Sequence, residues 1–381
     1  MMKEAVIVAA KRTAFGKYGG KLKYIDPEHL IKPLFTHFKE TLPHVMSDID
    51  DVILGNVVGN GGNLARKSLL EAELDHHIPG VTIDRQCGSG LEAILQACRM
   101  IQAGAGTIYM AGGVESTSRS PWKIKRPQSV YDTQLPAFFE RASFAPEGQD
   151  PSMIEAAENV AQTYNISRTA QDYYAWMSHQ KTMTAYERQI ISREIMPFQV
   201  KGETFQQDES IKPKLTERTL NRLKPLLPEG TVTAGNCCMK NDGAVLLMIM
   251  EKETAKACGF NSGLAFTDGL TVGVDPNVLG IGPAPAVKKL LEKNNYTIDE
   301  IDAVELNEAF ASQVLASQEM LGLSDAKLNV YGGAIATGHP YGASGAALVT
   351  RLFYMDEYQR TIATMGIGGG MGNALLFERW T

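Results

Sequence analysis

The chain has 381 residues, of which 44% are hydrophobic and 21% charged, and 37 Lys and Arg against 43 Asp and Glu give a net charge of −6. At roughly 150 residues per domain, this length predicts two or three domains around a large core. The acidic balance excludes the strongly basic face that nucleic-acid binding needs. The longest apolar run, residues 244–250, is far shorter than the ~20 residues of a membrane span.

The cysteines are few and scattered. The apolar stretch of residues 5–10 runs directly into Lys11 and Arg12, which favours a buried strand over a signal peptide. Five thiols without a C-x-x-C pair are typical of a reducing compartment, so we expect a cytoplasmic protein with no disulfide framework and no metal site. The cysteines stand at positions 87, 98, 237, 238 and 258.

Short apolar runs alternate with helical patterns in the first and last thirds of the chain. A helix is predicted from Leu91 to Ile101, and a second one begins near Gly342. Alternating strands and helices indicate parallel α/β sheets, and the same plan in both thirds indicates two similar halves. The predicted strands cover residues 5–10, 51–55, 81–83, 108–113, 303–307 and 362–365.

The middle of the chain has a different texture. Residues 119–240 are rich in proline at first and then carry amphipathic helical patterns around residues 153–190. We interpret this segment as a layer inserted over one half, where it is placed to cover a ligand.

Cys87 is the first candidate for chemistry, in the sequence Gln86-Cys87-Gly88-Ser89-Gly90. A thiol between a strand and a helix lies where the first helical amides are unpaired, and the helix dipole there lowers a thiol pKa. Such a thiolate is a nucleophile. The alternative is a small residue packed in a tight turn.

Three further motifs add candidates. His339 lies in the glycine-rich stretch 332–340, where a neutral imidazole can take a thiol proton, or can simply cap a helix. Asn307 follows a predicted strand and can hold a water or serve as a helix N-cap. The glycine run of residues 366–372, which contains Gly368, can offer backbone amides to an oxyanion or form a tight turn.

Taken together and in this order, the motifs resemble those of the thiolase family of acetyl-CoA acetyltransferases and 3-ketoacyl-CoA thiolases. The resemblance covers essentially the whole chain. Its motifs are Ala5-Val6-Ile7-Val8, Arg12-Thr13, Cys87-Gly88-Ser89-Gly90, Ala111-Gly112-Gly113-Val114-Glu115-Ser116, Ala157-Glu158-Asn159-Val160, Gly230-Thr231-Val232-Thr233-Ala234-Gly235-Asn236, Asn307-Glu308-Ala309-Phe310, Gly338-His339-Pro340, Gly342-Ala343-Ser344-Gly345 and the final glycine run.

The resemblance implies an α/β thiolase fold with two stacked βαβαβαββ halves in αβαβα layers. We expect an N-terminal half over residues 1–118, completed by about 241–260, and a C-terminal half over 261–381. Residues 119–240 would form the loop domain that covers the coenzyme A site. The resemblance also implies a homodimer or homotetramer.

The resemblance assigns expected roles to the candidates. The position of Cys87 is acylated by an acyl-CoA, and that of His339 activates the thiol. Asn307 matches a residue that holds a water in one oxyanion hole, and the amides of Cys87 and Gly368 match a second one. No permanently bound cofactor is expected, because coenzyme A and acyl-CoA are substrates.

Four residues are expected to contact the coenzyme A substrate. Lys212 and Thr219 fall where the family contacts the nucleotide end, and Met153 matches a residue that lines the acyl pocket. The family usually has Ala-Ser-Gly after Asn236, and its serine touches the pantetheine arm. Here the residues are Cys237-Cys238-Met239, so Cys238 takes the place of that serine.

The chain departs from the family at its second catalytic cysteine, which precedes the glycine run. Gly366 stands there instead. In the family this thiol moves the α-proton in condensation and thiolysis, and general acid–base catalysis contributes about 10²–10⁴-fold. We therefore expect impaired Claisen and thiolysis activity. Cys238 is a possible substitute, although a packed cysteine pair is the favoured interpretation. Ile154 replaces a usual glycine and should narrow the tunnel.

The sequence thus favours a cytoplasmic, thiolase-like acyltransferase of the acetyl-CoA C-acetyltransferase type, working through an acyl group on Cys87. One alternative is a one-cysteine acyl-transfer or decarboxylating condensing enzyme, which needs no second thiol. The other is a non-catalytic subunit that binds acyl-CoA.

Overall fold

The structure is a computed structural model that describes residues 3–127, 129, 131, 135–138, 141 and 143–381, so the segment 119–240 is described only in part. The described strands are β1 (Ala5–Arg12), β2 (Gly16–Lys17), β3 (Asp51–Gly55), β4 (Gly80–Ile83), β5 (Ile108–Ser116), β6 (Phe198–Val200), β7 (Glu203–Phe205), β8 (Asn241–Glu251), β9 (Gly263–Gly273), β10 (Ala303–Leu306), β11 (Arg360–Ile367) and β12 (Met371–Trp380). The described α-helices are α1 (Pro27–Thr41), α2 (Leu64–Glu71), α3 (Ser89–Gln102), α4 (Met153–Thr163), α5 (Arg168–Glu187), α6 (Glu217–Leu220), α7 (Lys252–Ala257), α8 (Pro283–Lys293), α9 (Ala311–Leu321), α10 (Ala334–Thr337) and α11 (Tyr341–Phe353).

The two thirds that share a sequence plan also share a strand plan. One mixed sheet has the order β10-β11-β12-β9-β1-β8-β5-β3-β4, and β2 pairs with β8. Strands β3, β4 and β5 are parallel, as are β10 and β11. The halves meet where β1 pairs with β9, with Val6 opposite Ala265 and Ile7 opposite Leu264. The predicted duplication is therefore visible in the structure.

Three hydrophobic clusters separate the layers. The outer face of the N-terminal strands packs against α1 and α2, and that of the C-terminal strands against α8 and α9. Between the halves, Leu91 and Ile94 of α3 pack with Val349 of α11, together with Val245 of β8 and Leu375 of β12. The result is the layered αβαβα arrangement that the resemblance implied.

The first strand is longer than the apolar run predicted. It continues through Arg12 because the buried guanidinium pairs with Glu194 and Asp208, each at 2.9 Å. A buried charge is tolerated when it is paired and hydrogen-bonded. Local sequence patterns predict that the strand stops before Lys11 and Arg12. They carry no information about Glu194 and Asp208, which lie far along the chain.

The inserted segment contacts both halves, not the single half that we expected. Helices α4 and α5 pack against α9, and Ser312 Oγ donates to Ala157 O at 3.0 Å. Glu194 and Asp208 hold Arg12 of the N-terminal half. Within the described part of the chain, no helix combines the length and apolarity that crossing a bilayer requires.

Candidate active site

Cys87 lies in a tight turn between β4 and α3. Gln86 adopts a left-handed backbone conformation with φ of 48°. Its N–H donates to Asp84 Oδ1 at 2.7 Å, and its carbonyl accepts from Ser89 Oγ at 2.6 Å. The same hydroxyl oxygen accepts from the Arg85 N–H at 2.8 Å. Side chains on both sides of the turn therefore hold the half-buried thiol in one place.

Helices α3 and α11 cross at their first turns without room for side chains. A Cβ atom added at Gly90 would lie 2.7 Å from Gly342 O. A Cβ added at Gly345 would lie 2.5 Å from Leu91 N. The two backbones are in direct contact, so only glycine fits at these positions.

This crossing brings together the two leading candidates. Cys87 precedes α3 by two residues, and His339 precedes α11 by two residues. The N-termini of touching helices place these side chains in one region, although the residues are far apart in sequence. Geometry of this kind is what nucleophilic catalysis needs, since the base must reach the thiol proton.

His339 is arranged as a neutral base. Its Nδ1 lies 2.6 Å from Ser344 Oγ, and the Ser344 hydroxyl donates to Pro340 O at 3.0 Å. Because that hydroxyl has one proton, the imidazole carries its own proton on Nδ1 and leaves a lone pair on Nε2. Nε2 is buried and has no hydrogen-bond partner among the described residues. Burial lowers the pKa of His339 to about 4, so the ring is uncharged at neutral pH.

The Cys87 thiol is protonated at rest, contrary to our expectation of a lowered pKa. Burial raises the pKa of Cys87 to about 11, although the Gly368 N–H donates to the sulfur and opposes this. The first helical amides do not help, because the N–H groups of Gly88 and Ser89 already donate to Arg85 O and Gln86 O. The thiol therefore needs a base, and it contacts the predicted oxyanion donor Gly368.

Asn307 follows β10 with its side chain buried. Its backbone N–H donates to Thr364 O at 3.1 Å, and its Nδ2 has no partner among the described residues. Asn307 lines a cavity of about 30 Å³, and Gly338 and Ser344, which flank His339, line the same cavity. This volume accommodates one water. The unpartnered amide therefore borders a space in which one water fits.

A short segment joins these motifs through its backbone. Cys237 forms an isolated backbone β-bridge with Phe310, and Lys240 forms one with His339. The Cys238 N–H donates to Ala309 O at 3.0 Å. Burial raises the pKa of the Cys238 thiol, and Cys237 and Cys87 add to this effect. Cys238 is thus part of the same site.

The other residues predicted to contact coenzyme A have few described contacts. The Lys212 backbone N–H donates to His179 Nδ1 at 3.3 Å. Burial raises the pKa of Cys237, and the exposed Lys212 ammonium partly offsets that rise. Thr219 is exposed on α6, and its described side-chain contact is with Thr216 at 2.9 Å. Met153 is half-buried at the first position of α4. None of the three is brought into contact with Cys87 by a described hydrogen bond.

The sequence reading missed two aromatic residues at the site. The Phe144 ring covers the glycine run, since a Cβ at Gly368 would lie 3.6 Å from it. The Tyr341 ring packs edge-on against His339, with ring centroids 5.1 Å apart. Tyr341 lies between the motifs 338–340 and 342–345, so its position in the sequence already indicated that it is near the site. Phe144 lies in a stretch without periodicity, where no local signal exists.

Gly366 is not required by its surroundings. Its φ is outside the left-handed region, and a Cβ there would lie 3.0 Å from Gln313 Nε2. The next atoms are Gly280 O at 3.4 Å and Leu279 O at 3.5 Å. A cysteine therefore fits after a small movement of the Gln313 side chain. The missing thiol is a chemical difference and not a steric necessity.

Comparisons with known proteins agree on one family. The chain matches the thiolase N-terminal domain over residues 5–253 and the thiolase C-terminal domain over residues 264–379. It is 69% identical over 379 residues to a Staphylococcus epidermidis protein named as an acetyl-CoA C-acetyltransferase, VraB, covering 100% of this chain and 99% of the relative. A Staphylococcus aureus VraB is 64% identical over 379 residues and is covered in full.

Solved structures give the same result. The Bacillus anthracis acetyl-CoA acetyltransferase superposes with a TM-score of 0.94 at 35% identity, covering 99% of both chains. The human mitochondrial 3-ketoacyl-CoA thiolase in complex with CoA superposes with a TM-score of 0.92 at 33% identity, covering 100% of this chain and 98% of that chain. Sequence, fold and relatives together show that the chain belongs to the thiolase family.

Proposed function

We propose that this thiolase-type acyltransferase acts on coenzyme A thioesters as an acetyl-CoA C-acetyltransferase and carries the acyl group on Cys87. The pairing of a protonated thiol with a buried, uncharged imidazole at the α3–α11 crossing supports this most strongly. The names of the relatives and the CoA-bound human thiolase support the substrate class.

Acylation follows from the same geometry. His339 Nε2 takes the Cys87 proton while the sulfur attacks the thioester carbonyl carbon. The N–H groups of Cys87 and Gly368 receive the developing oxyanion, and the Gly368 N–H already points at the sulfur. Collapse of the tetrahedral intermediate releases coenzyme A, whose sulfur takes the proton from His339, and leaves acyl-Cys87. Asn307 with its water stabilises the enolate oxygen in the later carbon–carbon step.

The inserted segment would hold the rest of coenzyme A. Lys212 offers a solvent-exposed ammonium to the nucleotide phosphates, with Thr219 beside them. Cys238 would lie along the pantetheine arm, and Met153 along the acyl group. In this proposal residues 119–240 form the loop domain, between the half of 1–118 with 241–260 and the half of 261–381. The assembly would be a cytoplasmic homodimer or homotetramer.

A second candidate function is acyl transfer or decarboxylative condensation with one cysteine. Gly366 favours it, because the chain has no thiol at that position to move an α-proton. Both candidates require acyl-Cys87, so that intermediate is the first thing to test. Under either, turnover by ordinary Claisen chemistry is expected to be slower than in a two-cysteine thiolase.

Mass spectrometry after incubation with acetyl-CoA tests the proposal. We expect one acetyl group on the peptide that contains Cys87, no acetylation in Cys87→Ala, and normal acetylation in Cys258→Ala as the matched control. His339→Gln should form the adduct at least about 100-fold more slowly. The absence of an adduct in the unmodified chain would contradict both enzymatic functions and favour a subunit that only binds acyl-CoA.

A further inference from the structure

Thiolysis requires a group that donates a proton to the α-carbon of the substrate, and Gly366 has no side chain that could do so. Apart from His339, which receives the Cys87 proton, two described groups that act electrostatically with Cys87 can carry a transferable proton, Cys238 and the Tyr341 hydroxyl. Glu115 also lies nearby, but its carboxylate accepts from Asn56 Nδ2 and from three backbone N–H groups at 2.9–3.2 Å. Its lone pairs are therefore occupied by positioning contacts.

Tyr341 is the better placed of the two. It is the first residue of α11, and its ring packs edge-on against His339 at 5.1 Å between centroids. The start of this helix is held firmly, because the Gly342 N–H donates to Glu115 Oε2 at 2.9 Å. The Tyr341 hydroxyl has no hydrogen-bond partner among the residues that the structure describes. A ring that packs against the base thus carries a hydroxyl without a described hydrogen-bond partner.

The surroundings keep that hydroxyl protonated. Burial raises the pKa of Tyr341, and Cys238, Cys87 and Glu115 raise it further. An enolate is a far stronger base than a phenolate, so a phenol that retains its proton is still a competent donor to it.

We propose that the Tyr341 hydroxyl donates the proton to the substrate α-carbon, the role that the second cysteine has elsewhere in the family. This inference rests on the proposed acyl-Cys87 chemistry. When the Cα–Cβ bond of a 3-oxoacyl-CoA breaks, the acyl group stays on Cys87 and the electron pair forms the enolate of acetyl-CoA. That pair takes the Tyr341 proton, which forms a C–H bond and leaves a phenolate. The thiol of the incoming coenzyme A reprotonates the phenolate, and its thiolate then attacks acyl-Cys87. The expelled Cys87 thiolate takes back the proton that His339 had accepted.

Tyr341→Phe isolates this step because it keeps the ring against His339. We expect acetylation of Cys87 to continue at the normal rate. The kcat for thiolysis of acetoacetyl-CoA should fall at least about 100-fold with KM little changed, and deuterium exchange into the acetyl group of acetyl-CoA should fall equally. Cys258→Ala, at the edge of the N-terminal hydrophobic cluster and outside the site, is the control and should retain both activities.

Restoring the family's thiol provides a second arm. Gly366→Cys in the Tyr341→Phe background should return thiolysis to the rate of Gly366→Cys alone, because the thiol makes the hydroxyl unnecessary. The inference is overturned if Tyr341→Phe keeps exchange and thiolysis, the result expected if Cys238 were the donor. It is also overturned if the unmodified chain acetylates Cys87 but shows neither activity. Failure of Cys87 acetylation itself would instead refute the proposed function.

Discussion

Cys87 and His339 form a pair in which both partners are uncharged at rest. The pKa of the thiol is raised to about 11 and that of the imidazole is lowered to about 4, both chiefly by burial. A proton on sulfur and a lone pair on Nε2 are therefore the resting state. This differs from a preformed thiolate–imidazolium pair, in which neighbouring charge lowers the thiol pKa. Charge develops in this site only as the sulfur attacks.

The resting state predicts how acylation depends on pH. Because His339 becomes protonated only as pH falls toward 4, the base is available throughout the neutral range. The single-turnover rate of Cys87 acetylation should stay constant between about pH 5.5 and 8.5 and decline below about pH 5. Rapid quenching followed by mass spectrometry measures this rate. An inflection near pH 7 would show instead that a thiolate–imidazolium pair exists before substrate binds.

At the scale of elements, the crossing of α3 and α11 sets the distance between the nucleophile and its base. Both helices belong to the middle layer, where side chains from both halves of the sheet surround them. A methyl group added at the crossing would push the first turns of the two helices apart and move Cys87 relative to His339. Misplacement by about 1 Å costs as much as 10² in rate.

Gly345→Ala tests the crossing. The added methyl would meet Leu91 N at 2.5 Å, and overpacking of this kind costs about 1–3 kcal/mol of unfolding free energy. We expect that loss in urea unfolding, together with slower acetylation of Cys87. Gly273→Ala is the matched control, since no atom lies within 4 Å of its Cβ, and it should change stability by less than about 0.5 kcal/mol. Equal effects of the two variants would contradict the role of the crossing.

At the scale of the molecule, a buried ionic network ties the inserted segment to both halves. Arg12 of β1 pairs with Glu194 and Asp208 of the inserted segment, and Arg351 of α11 also pairs with Glu194. Glu305 of β10 adds a third carboxyl group to two cations. Burial raises the pKa of Glu305 to about 8, with Glu194 and Glu308 contributing and Arg351 opposing. When Glu305 is protonated, the two buried arginines Arg12 and Arg351 are balanced by two carboxylates, those of Glu194 and Asp208.

Glu305→Gln tests this balance through stability. The folded chain holds the Glu305 proton up to about pH 8, whereas an unfolded glutamate releases it near pH 4.3. The folded state therefore binds more protons between these values, and the free energy of unfolding falls as pH rises through them. The slope is at most about 1.4 kcal/mol per pH unit. Glu305→Gln should thus gain stability relative to the unmodified chain from pH 5 to pH 8 in urea unfolding. A difference that is independent of pH would refute a protonated Glu305.

Much of the fold and part of the site could be predicted from the sequence. The spacing of Leu91, Ile94 and Ile101 predicts the buried face of α3, and these side chains are fully buried. The motif around Cys87 predicts a turn before a helix, which the structure confirms. Such features depend on neighbours within one or two turns, so local periodicity and turn chemistry are sufficient. The order of the motifs was also enough to indicate the family.

Protonation states and long-range partners could not be predicted in this way. The motif suggested a lowered thiol pKa, but burial and the capture of the first helical amides raise it. The first strand was predicted to cover residues 5–10, but it continues through Arg12, which partners from the inserted segment bury. The sequence by itself indicated half of the described strands, the helix after Cys87, the duplication and the candidate nucleophile. Only the tertiary structure decided which residue is charged and where the Tyr341 hydroxyl lies, because desolvation and contact depend on atoms that other parts of the chain supply.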